Sequence, residues 1–261
     1  MAKISDIFGA INAAFPFTEA EKWDNSGLLV ENDCEITKIT VALDASAVVV
    51  NEAKDNGSNL IVTHHPVIFH PLANLSFKNP AVLALKNGIG IISAHTNFDI
   101  GYCSADSMFS SLLSENLSFR EEGILDITHT QPHPHGFGRM GWLQKPLTSE
   151  EFAVKLKDAL GSDSLRYTKK EGNIRKVAFC CGGGAEYLEK AIDLGIDAYI
   201  TSDVKHSTFI AAQNSGIALF TPTHYQMEKP AMKNLAEILR QGFPDIQVVE
   251  SSLEAEPSQI V

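Results

Sequence analysis

Residues 38–65 read KITVALDASAVVVNEAKDNGSNLIVTHH, and this stretch predicts the fold class. Two apolar runs flank a segment with helical spacing, and Gly57 precedes the second run. Residues 176–203 read KVAFCCGGGAEYLEKAIDLGIDAYITSD and align with the first stretch without a gap, at an offset of 138. The identical pairs are Lys38/Lys176, Ala47/Ala185, Ala53/Ala191, Asp55/Asp193, Gly57/Gly195 and Thr63/Thr201. Both stretches predict strand, turn, helix, glycine and strand, with chance similarity between generic βαβ units as the alternative explanation.

The similarity continues downstream, where residues 87–95 (NGIGIISAH) resemble residues 215–223 (SGIALFTPT). Helices are predicted near 46–56, 80–87, 185–194 and 204–214, each followed by a glycine that favours a left-handed helix end. Short strands that alternate with helices indicate an α/β fold with mixed, mostly parallel sheets. We expect two related α/β halves from an internal duplication, 1–125 and 126–261, with intertwined boundaries as an alternative.

The amino-acid composition limits which partners and which cellular location are expected for this protein. The 261 residues are 44% hydrophobic, and 21 basic against 32 acidic residues give a formal charge of −11. So acidic a chain disfavours nucleic acid as a partner, because such binding depends on phosphate neutralisation. The four cysteines form no CxxC pair, the N-terminus lacks the apolar core of a signal peptide, and no apolar stretch approaches 18 residues. We expect reduced thiols, no association with a membrane, and a cytoplasmic protein.

Polar side chains that can bind a metal follow four predicted strands. They are His64 and His65 after 60–63, His95 and Asp99 after 89–94, Asp203 after 198–201, and His224 and Glu228 after 217–221. If the halves pack face to face, these strand ends line one cleft, and we expect a metal site in that cleft between the halves. Two explanations that involve no metal stay open. A His/Glu pair four residues apart usually lies on the solvated surface, and Asp99 could cap a helix over 104–113.

The donor types indicate which metals would fit. Imidazole combined with carboxylate oxygen suits Zn, Mn, Fe or Ni better than Ca or Mg. Five of these donors would exceed what one catalytic zinc uses, whereas two ions bridged by Asp99 or Glu228 would use all five. The stretch HTQPHPH (129–135) also has metal-like histidine spacing, but its prolines favour a loop or linker with surface histidines.

Five ordered motifs carry a family resemblance: WDNSGLLV (23–30), THHP (63–66), AHTNFD (94–99), TSDVKH (201–206) and HYQME (224–228). Together they resemble the NGG1-interacting-factor-3-like family, also known as GTP cyclohydrolase I type 2 homologues. The resemblance implies two related α/β halves, a dinuclear metal centre and a ring-shaped homohexamer. It assigns the ligands to His64, His65, Asp99, His224 and Glu228. Ser202, Thr223 and Met227 depart from the family pattern, which bears on pocket shape more than on metal binding.

Two functions follow as hypotheses. The first is a metal-dependent hydrolase with two divalent transition-metal ions per subunit, either GTP cyclohydrolase type 2-like or acting on a phosphoester or nucleotide, with His95 as the nearest general base. The second is a non-enzymatic metal-binding regulatory or scaffold protein. Asp203 and His206 either orient ligands or carry protons, and Asp24 or Asn25 either holds its loop near the site or caps a turn. Arg139 either binds an anion or contacts another subunit.

Overall fold

A computed structural model of the chain describes residues 2–259. The strands are β1 (Ala2–Lys3), β2 (Gly27–Val30), β3 (Glu35–Ile36), β4 (Lys38–Ala42), β5 (Leu60–Thr63), β6 (Gly90–Ser93), β7 (Phe119–His129), β8 (His135–Leu147), β9 (Arg166–Tyr167), β10 (Ile174–Phe179), β11 (Ala198–Ile200), β12 (Ala218–Thr221) and β13 (Gln247–Glu250). The α-helices are α1 (Ile4–Ala14), α2 (Ala47–Asn56), α3 (Pro80–Lys86), α4 (Thr96–Asp99), α5 (Ala105–Leu117), α6 (Ser149–Ala159), α7 (Leu188–Asp193), α8 (His206–Ser215), α9 (His224–Glu228) and α10 (Met232–Gly242). Short 3-10 turns cover Phe17–Glu19, Ala185–Tyr187 and Lys229–Ala231. None of the helices within 2–259 combines the length and apolar character needed to cross a bilayer.

The chain divides into two compact units. Unit 1 comprises Met1–Gly101 and Ala231–Ala255, and unit 2 comprises Tyr102–Pro230 and Glu256–Val261. These bounds differ from the halves expected at 1–125 and 126–261, since residue 125 lies inside strand β7. The difference has a physical cause, because the chain returns to unit 1 through α10 and β13, and β13 extends the first sheet by pairing with β4.

Unit 1 is built on a five-stranded sheet in the order β13-β4-β5-β6-β2. The first four strands run parallel, and β2 closes the edge antiparallel to β6. Strand β5 (LIVT) is buried along its whole length, as expected for a parallel strand covered on both faces. Side chains of α2 such as Val49 and Val50 pack with Ile61 and Ile91 of the sheet in one apolar cluster. This packing fixes the positions at which β5 and β6 end.

Unit 2 contains a six-stranded mixed sheet in the order β7-β8-β10-β11-β12-β9. Strands β10, β11 and β12 are parallel, while the long β7–β8 hairpin and the short β9 pair antiparallel at the two sides. Phe109, Phe152, Phe179 and Phe220 belong to its buried core. The fold is therefore mixed α/β, with parallel strands at the centre of both sheets.

The predicted strands and helices of the repeated stretches are confirmed. Pairing has the same register in both units: Ile39 lies opposite Leu60, and Val177 opposite Ala198, which are the positions related by 138 residues. The alternative in which Asp99 caps the next helix is wrong, because Ser104 caps α5 and Asp99 ends the short helix α4. Residues 130–134 form the turn of the β7–β8 hairpin within unit 2, so this histidine-bearing stretch is a loop but not a linker between the units.

Candidate metal centre

His64 and His65 follow strand β5 at the C-terminal edge of the unit 1 sheet. The His64 backbone N–H still donates to Ala42 and that of His65 to Leu43, so both residues continue the edge of the sheet. The Nδ1 atom of the buried His64 lies 2.9 Å from the Ala94 carbonyl oxygen, and Nδ1 of His65 lies 2.9 Å from Asp44 Oδ1. Because a carbonyl or carboxylate oxygen can only accept, Nδ1 carries the proton in both rings. The Nε2 atoms are therefore the ones that can serve as metal ligands.

His95 follows strand β6 and is held by Asp24, whose side chain is fully buried. Asp24 Oδ1 lies 2.9 Å from His95 Nδ1, while Oδ2 accepts from the hydroxyls of Ser26 and Thr96 at 2.6 Å each and from the Thr96 backbone N–H at 3.1 Å. Burial alone would raise the pKa of Asp24, but the hydrogen bonds from His95, Ser26 and Thr96 outweigh burial and hold that pKa well below its usual range. A charged Asp24 fixes the tautomer of His95. Of the two roles expected for the WDN loop, the structure therefore has the first, in which Asp24 holds the loop close to His95.

Three imidazoles converge in unit 1. The ring centroids of His64 lie 4.9 Å from His65 and 5.0 Å from His95, and those of His65 and His95 are 5.6 Å apart. One ring nitrogen from each lies within 4.8 Å of the other two, so the three together could hold a metal ion. Asp99, at the end of α4, places Oδ1 3.5 Å from His64 Nε2. We call His64, His65, His95 and Asp99 the unit 1 group.

Unit 2 brings together His224 and Glu228, one turn apart on α9. This helix begins with a capping box, in which Thr223 accepts from the Gln226 backbone and the Gln226 side chain accepts from the Thr223 N–H. Nδ1 of His224 lies 2.5 Å from Asp203 Oδ2, and Nε2 lies 2.7 Å from Glu228 Oε2. An imidazole nitrogen and a buried carboxylate thus point toward one another. We call His224 and Glu228, with Asp203 behind them, the unit 2 group.

A glycine-rich turn after β10 abuts the unit 2 group. Gly182 has φ +68°, and a Cβ there would lie 2.1 Å from Glu228 Oε1 and 3.3 Å from His224 Nε2. Its carbonyl accepts from the Ser202 N–H and from the hydroxyls of Thr201 and Ser202. Glycine is therefore required by both backbone conformation and space, because any side chain would displace the carboxylate.

A buried acid anchors the start of this turn. Asp106 accepts from the backbone N–H of Cys181 at 2.8 Å and of Gly138 at 2.6 Å. Burial raises the pKa of Asp106, although Arg139 and the two N–H donors act in the opposite direction. Arg139 is itself buried and donates to the carbonyls of Gly136 and Gly138. It therefore stabilises the interior of unit 2, which neither expected role for Arg139 anticipated.

The chain is similar to known proteins over nearly its whole length. The sequence profile of Duf34/NIF3 (NGG1p interacting factor 3) matches residues 2–257. The chain belongs to this family. Among curated NIF3 relatives it is 30% identical to a Clostridium perfringens protein named GTP cyclohydrolase 1 type 2 homolog, over 99% of this chain and 100% of that one. It is 32% identical to the Helicobacter pylori protein named GTP cyclohydrolase 1 type 2, over 92% of each. A Staphylococcus aureus crystal structure superposes with a TM-score of 0.86 at 26% identity, covering 100% of this chain and 99% of the other.

Within this NIF3 protein, each unit therefore gathers some of the residues that the sequence singled out. Unit 1 places His64, His65 and Asp99 beside His95, and unit 2 places His224 against Glu228. His206 is exposed at the first turn of α8. Sequence reasoning missed Asp44 and Gly182: the first gives no signal before its distance to His65 is known, whereas a run of three glycines after a strand is a signal that could have been used.

Proposed function

We propose that this protein is a metal-dependent hydrolase with a dinuclear centre, whose ligands are His64, His65, Asp99, His224 and Glu228. One observation carries the proposal: every histidine of the two groups has Nδ1 engaged by an oxygen acceptor, namely Ala94 O, Asp44, Asp24 or Asp203. Metal-binding histidines nearly always donate their second ring N–H in this way, which fixes the ring and raises ligand basicity.

The donor set fits divalent transition metals. Imidazole nitrogens with two carboxylates suit Zn, Mn, Fe or Ni, and five donors supply two ions more naturally than one. When bound, such ions would lower the pKa of a coordinated water and polarise the substrate. The turn at Gly182 supports this assignment, since it leaves Glu228 the space beside His224 that a ligand carboxylate needs.

His95 is proposed as the general base. The buried, ionised Asp24 accepts a hydrogen bond from Nδ1–H of His95, so the lone pair on Nε2 is available to take a proton from a nucleophile. Asp24 also holds the His95 ring in place when the ring takes up a proton and becomes positively charged. His95 is a positioning or ligand residue instead if its Nε2 binds metal together with His64 and His65, which their mutual distances would allow. That arrangement would favour the second candidate, a non-enzymatic metal-binding scaffold, because the centre would lose its base.

The substrate is proposed to be a nucleotide. The support is the naming of two relatives as GTP cyclohydrolase 1 type 2 or its homolog, so ring opening of a guanine nucleotide and hydrolysis of a phosphoester are the reactions to assay first. A homohexamer and an internal duplication belong to the same proposal. The duplication is supported by the equal strand registers at positions 138 residues apart.

Elemental analysis of metal content tests the centre. We expect about two transition-metal ions per chain in wild type. If the five ligands form one centre, His64→Ala and Glu228→Ala should each lose both ions, whereas two separate sites would lose one each. His70→Ala, which removes an exposed histidine, is the control and should keep both ions. A wild-type protein that takes up no Zn, Mn, Fe or Ni on reconstitution would overturn the proposal.

Catalysis is tested separately with His95→Gln. A general base predicts that this variant keeps its metal while formate release from GTP, or phosphate release from nucleotides, falls by about 100-fold or more. Loss of metal in the same variant would instead identify His95 as a ligand. Absence of metal-stimulated hydrolysis across nucleotide and phosphoester panels would leave the scaffold function.

A further inference from the structure

Two large aromatic side chains lie exposed beside His95. Trp23 is 60% exposed and Phe69 is 40% exposed. Their ring centroids lie 6.1 Å and 6.2 Å from that of His95 and 6.0 Å from one another. Single exposed aromatics need no explanation, but these two, tilted by 46° to one another, both lie beside a candidate catalytic imidazole.

The loops that carry these rings are tied down. Trp23 precedes Asp24, whose carboxylate is held by His95, Ser26 and Thr96. Asn25 donates from Nδ2 to the carbonyl of Ile68 at 2.6 Å, which links the Trp23 loop to the residue before Phe69. The two rings are thus held near each other and near His95 by hydrogen bonds at both loops. Such preorganisation reduces the entropy that a ligand would lose on binding.

We propose that Trp23 and Phe69 form a stacking platform for the flat heteroaromatic ring of the substrate, a purine in the first instance. The proposal rests on the proposed function, because it gives the substrate of the His95 site its binding surface. Exposed aromatic faces attract other planar rings through stacking, and this interaction tolerates differences in ring substituents. A purine stacked there would lie next to His95, where the proton transfer is proposed.

A second copy of this chain is the competing occupant of the platform. The contacts of both rings with His95 argue for a small ligand, because a protein surface seated on Trp23 and Phe69 would also cover the imidazole. That imidazole side chain is only 16% exposed already, so little further covering would close it to substrate.

The test uses the fact that the chain has two tryptophans, Trp23 and Trp142. In Trp142→Phe, all tryptophan emission comes from Trp23. We expect guanosine 5′-monophosphate to quench this emission saturably, and ribose 5-phosphate, which lacks the base, to leave it unchanged. By calorimetry on the otherwise native protein, Trp23→Ala should weaken binding of guanosine 5′-monophosphate by about 5- to 150-fold, and Trp23→Phe should recover most of the loss. Phe69→Ala should act in the same direction.

Equal affinity of Trp23→Ala and wild type for the nucleotide, or no binding by wild type, would overturn the platform. So would a change in molecular mass of Trp23→Ala by light scattering with nucleotide affinity unchanged, because that result assigns the rings to a contact between copies. Metal content of each variant should match wild type. Repeating the titration in chelator separates the two proposals: Trp23-dependent binding that survives metal removal supports the platform even where the metal centre fails.

Discussion

Gly182→Ala offers a sharp test of how the glycine-rich turn shapes the unit 2 group. The new Cβ would lie 2.1 Å from Glu228 Oε1 and 3.2 Å from Glu228 Cδ. In addition, residue 182 has a φ of +68°, a backbone conformation that residues with a side chain rarely adopt. To restore an ordinary contact, the carboxylate must retreat by about 1 Å or more. The turn itself has little freedom to move, because three donors from Thr201 and Ser202 hold the Gly182 carbonyl.

Two separate effects follow from this geometry. The left-handed conformation alone should destabilise the variant by about 1–2 kcal/mol. The displacement of Glu228 is about five times the tolerance of roughly 0.2 Å on a metal–ligand distance, so metal affinity should fall by at least the 10- to 100-fold that follows loss of an outer-shell partner. The loss of affinity should exceed what the loss of stability explains, because the protein stays folded at a penalty of this size.

The measurement combines urea denaturation of the metal-free protein with calorimetric titration of Zn or Mn. Gly183→Ala is the matched control: it lies next along the same turn, a Cβ there meets no atom within 4 Å, and its φ is not in the left-handed region. The control should retain both stability and affinity. Metal affinity in Gly182→Ala within twofold of wild type would refute the argument that space at Gly182 is what lets Glu228 serve as a ligand.

Three further predictions concern two partners of the histidines and the effect of removing metal. Asp24→Asn should be less stable than wild type at pH 7. Because folding lowers the pKa of Asp24, its contribution is complete above the unfolded value of about 3.9 and is lost as pH falls from there to the folded pKa. Urea denaturation from pH 7 to pH 3 should therefore show a constant difference in stability down to about pH 4 and a narrowing difference below it. Asp203→Ala removes the acceptor for His224 Nδ1 and should weaken metal binding by about 10- to 100-fold in calorimetry, whereas Asp193→Ala, at the exposed end of α7, should leave it unchanged. Chelator should lower the melting temperature of the metal-loaded protein, since metal at 100 times its Kd contributes about 2.7 kcal/mol, and identical melting curves with and without chelator would contradict this.

The parallel strands of the two repeated stretches could be predicted, because a strand that is buried on both faces is a short apolar run in the sequence. Strand β5 is buried throughout, Gly57 ends α2 at φ +81°, and the matching stretch 138 residues later repeats both features around β11 and Gly195. The strand ends then follow, and with them the positions of His64, His65 and His95. Local periodicity is sufficient here because each βαβ segment is continuous in the chain.

The rest depends on contacts between distant segments. Asp24 and His95 are 71 residues apart, and Asp44 reaches His65 across 21 residues, so neither pairing has a local signal. The return of the chain to unit 1 has no local signal either, because β13 joins β4 only after more than 200 residues of intervening chain. The local sequence around an aspartate or an edge strand does not identify the residue or strand that it pairs with. That pairing is determined by how the core of the folded chain packs.

For three of the four histidines, the type of oxygen that accepts from Nδ1 is the one expected from the free-energy cost of burying a charge. His64 is buried and uses a neutral carbonyl, whereas His65 and His224 use carboxylates that are 53% and 60% exposed and keep much of their hydration. His95 is the exception, since its partner Asp24 is both charged and fully buried. An unpaired charge there would be strongly destabilising, so the chain supplies several donors to keep it ionised. A ligand histidine can be oriented by a carbonyl, as the proposed ligand His64 would be, and therefore does not require such a partner. A base that becomes positively charged during reaction does gain from a fixed negative charge behind it, and this difference is the physical reason to place His95 apart from the proposed ligands.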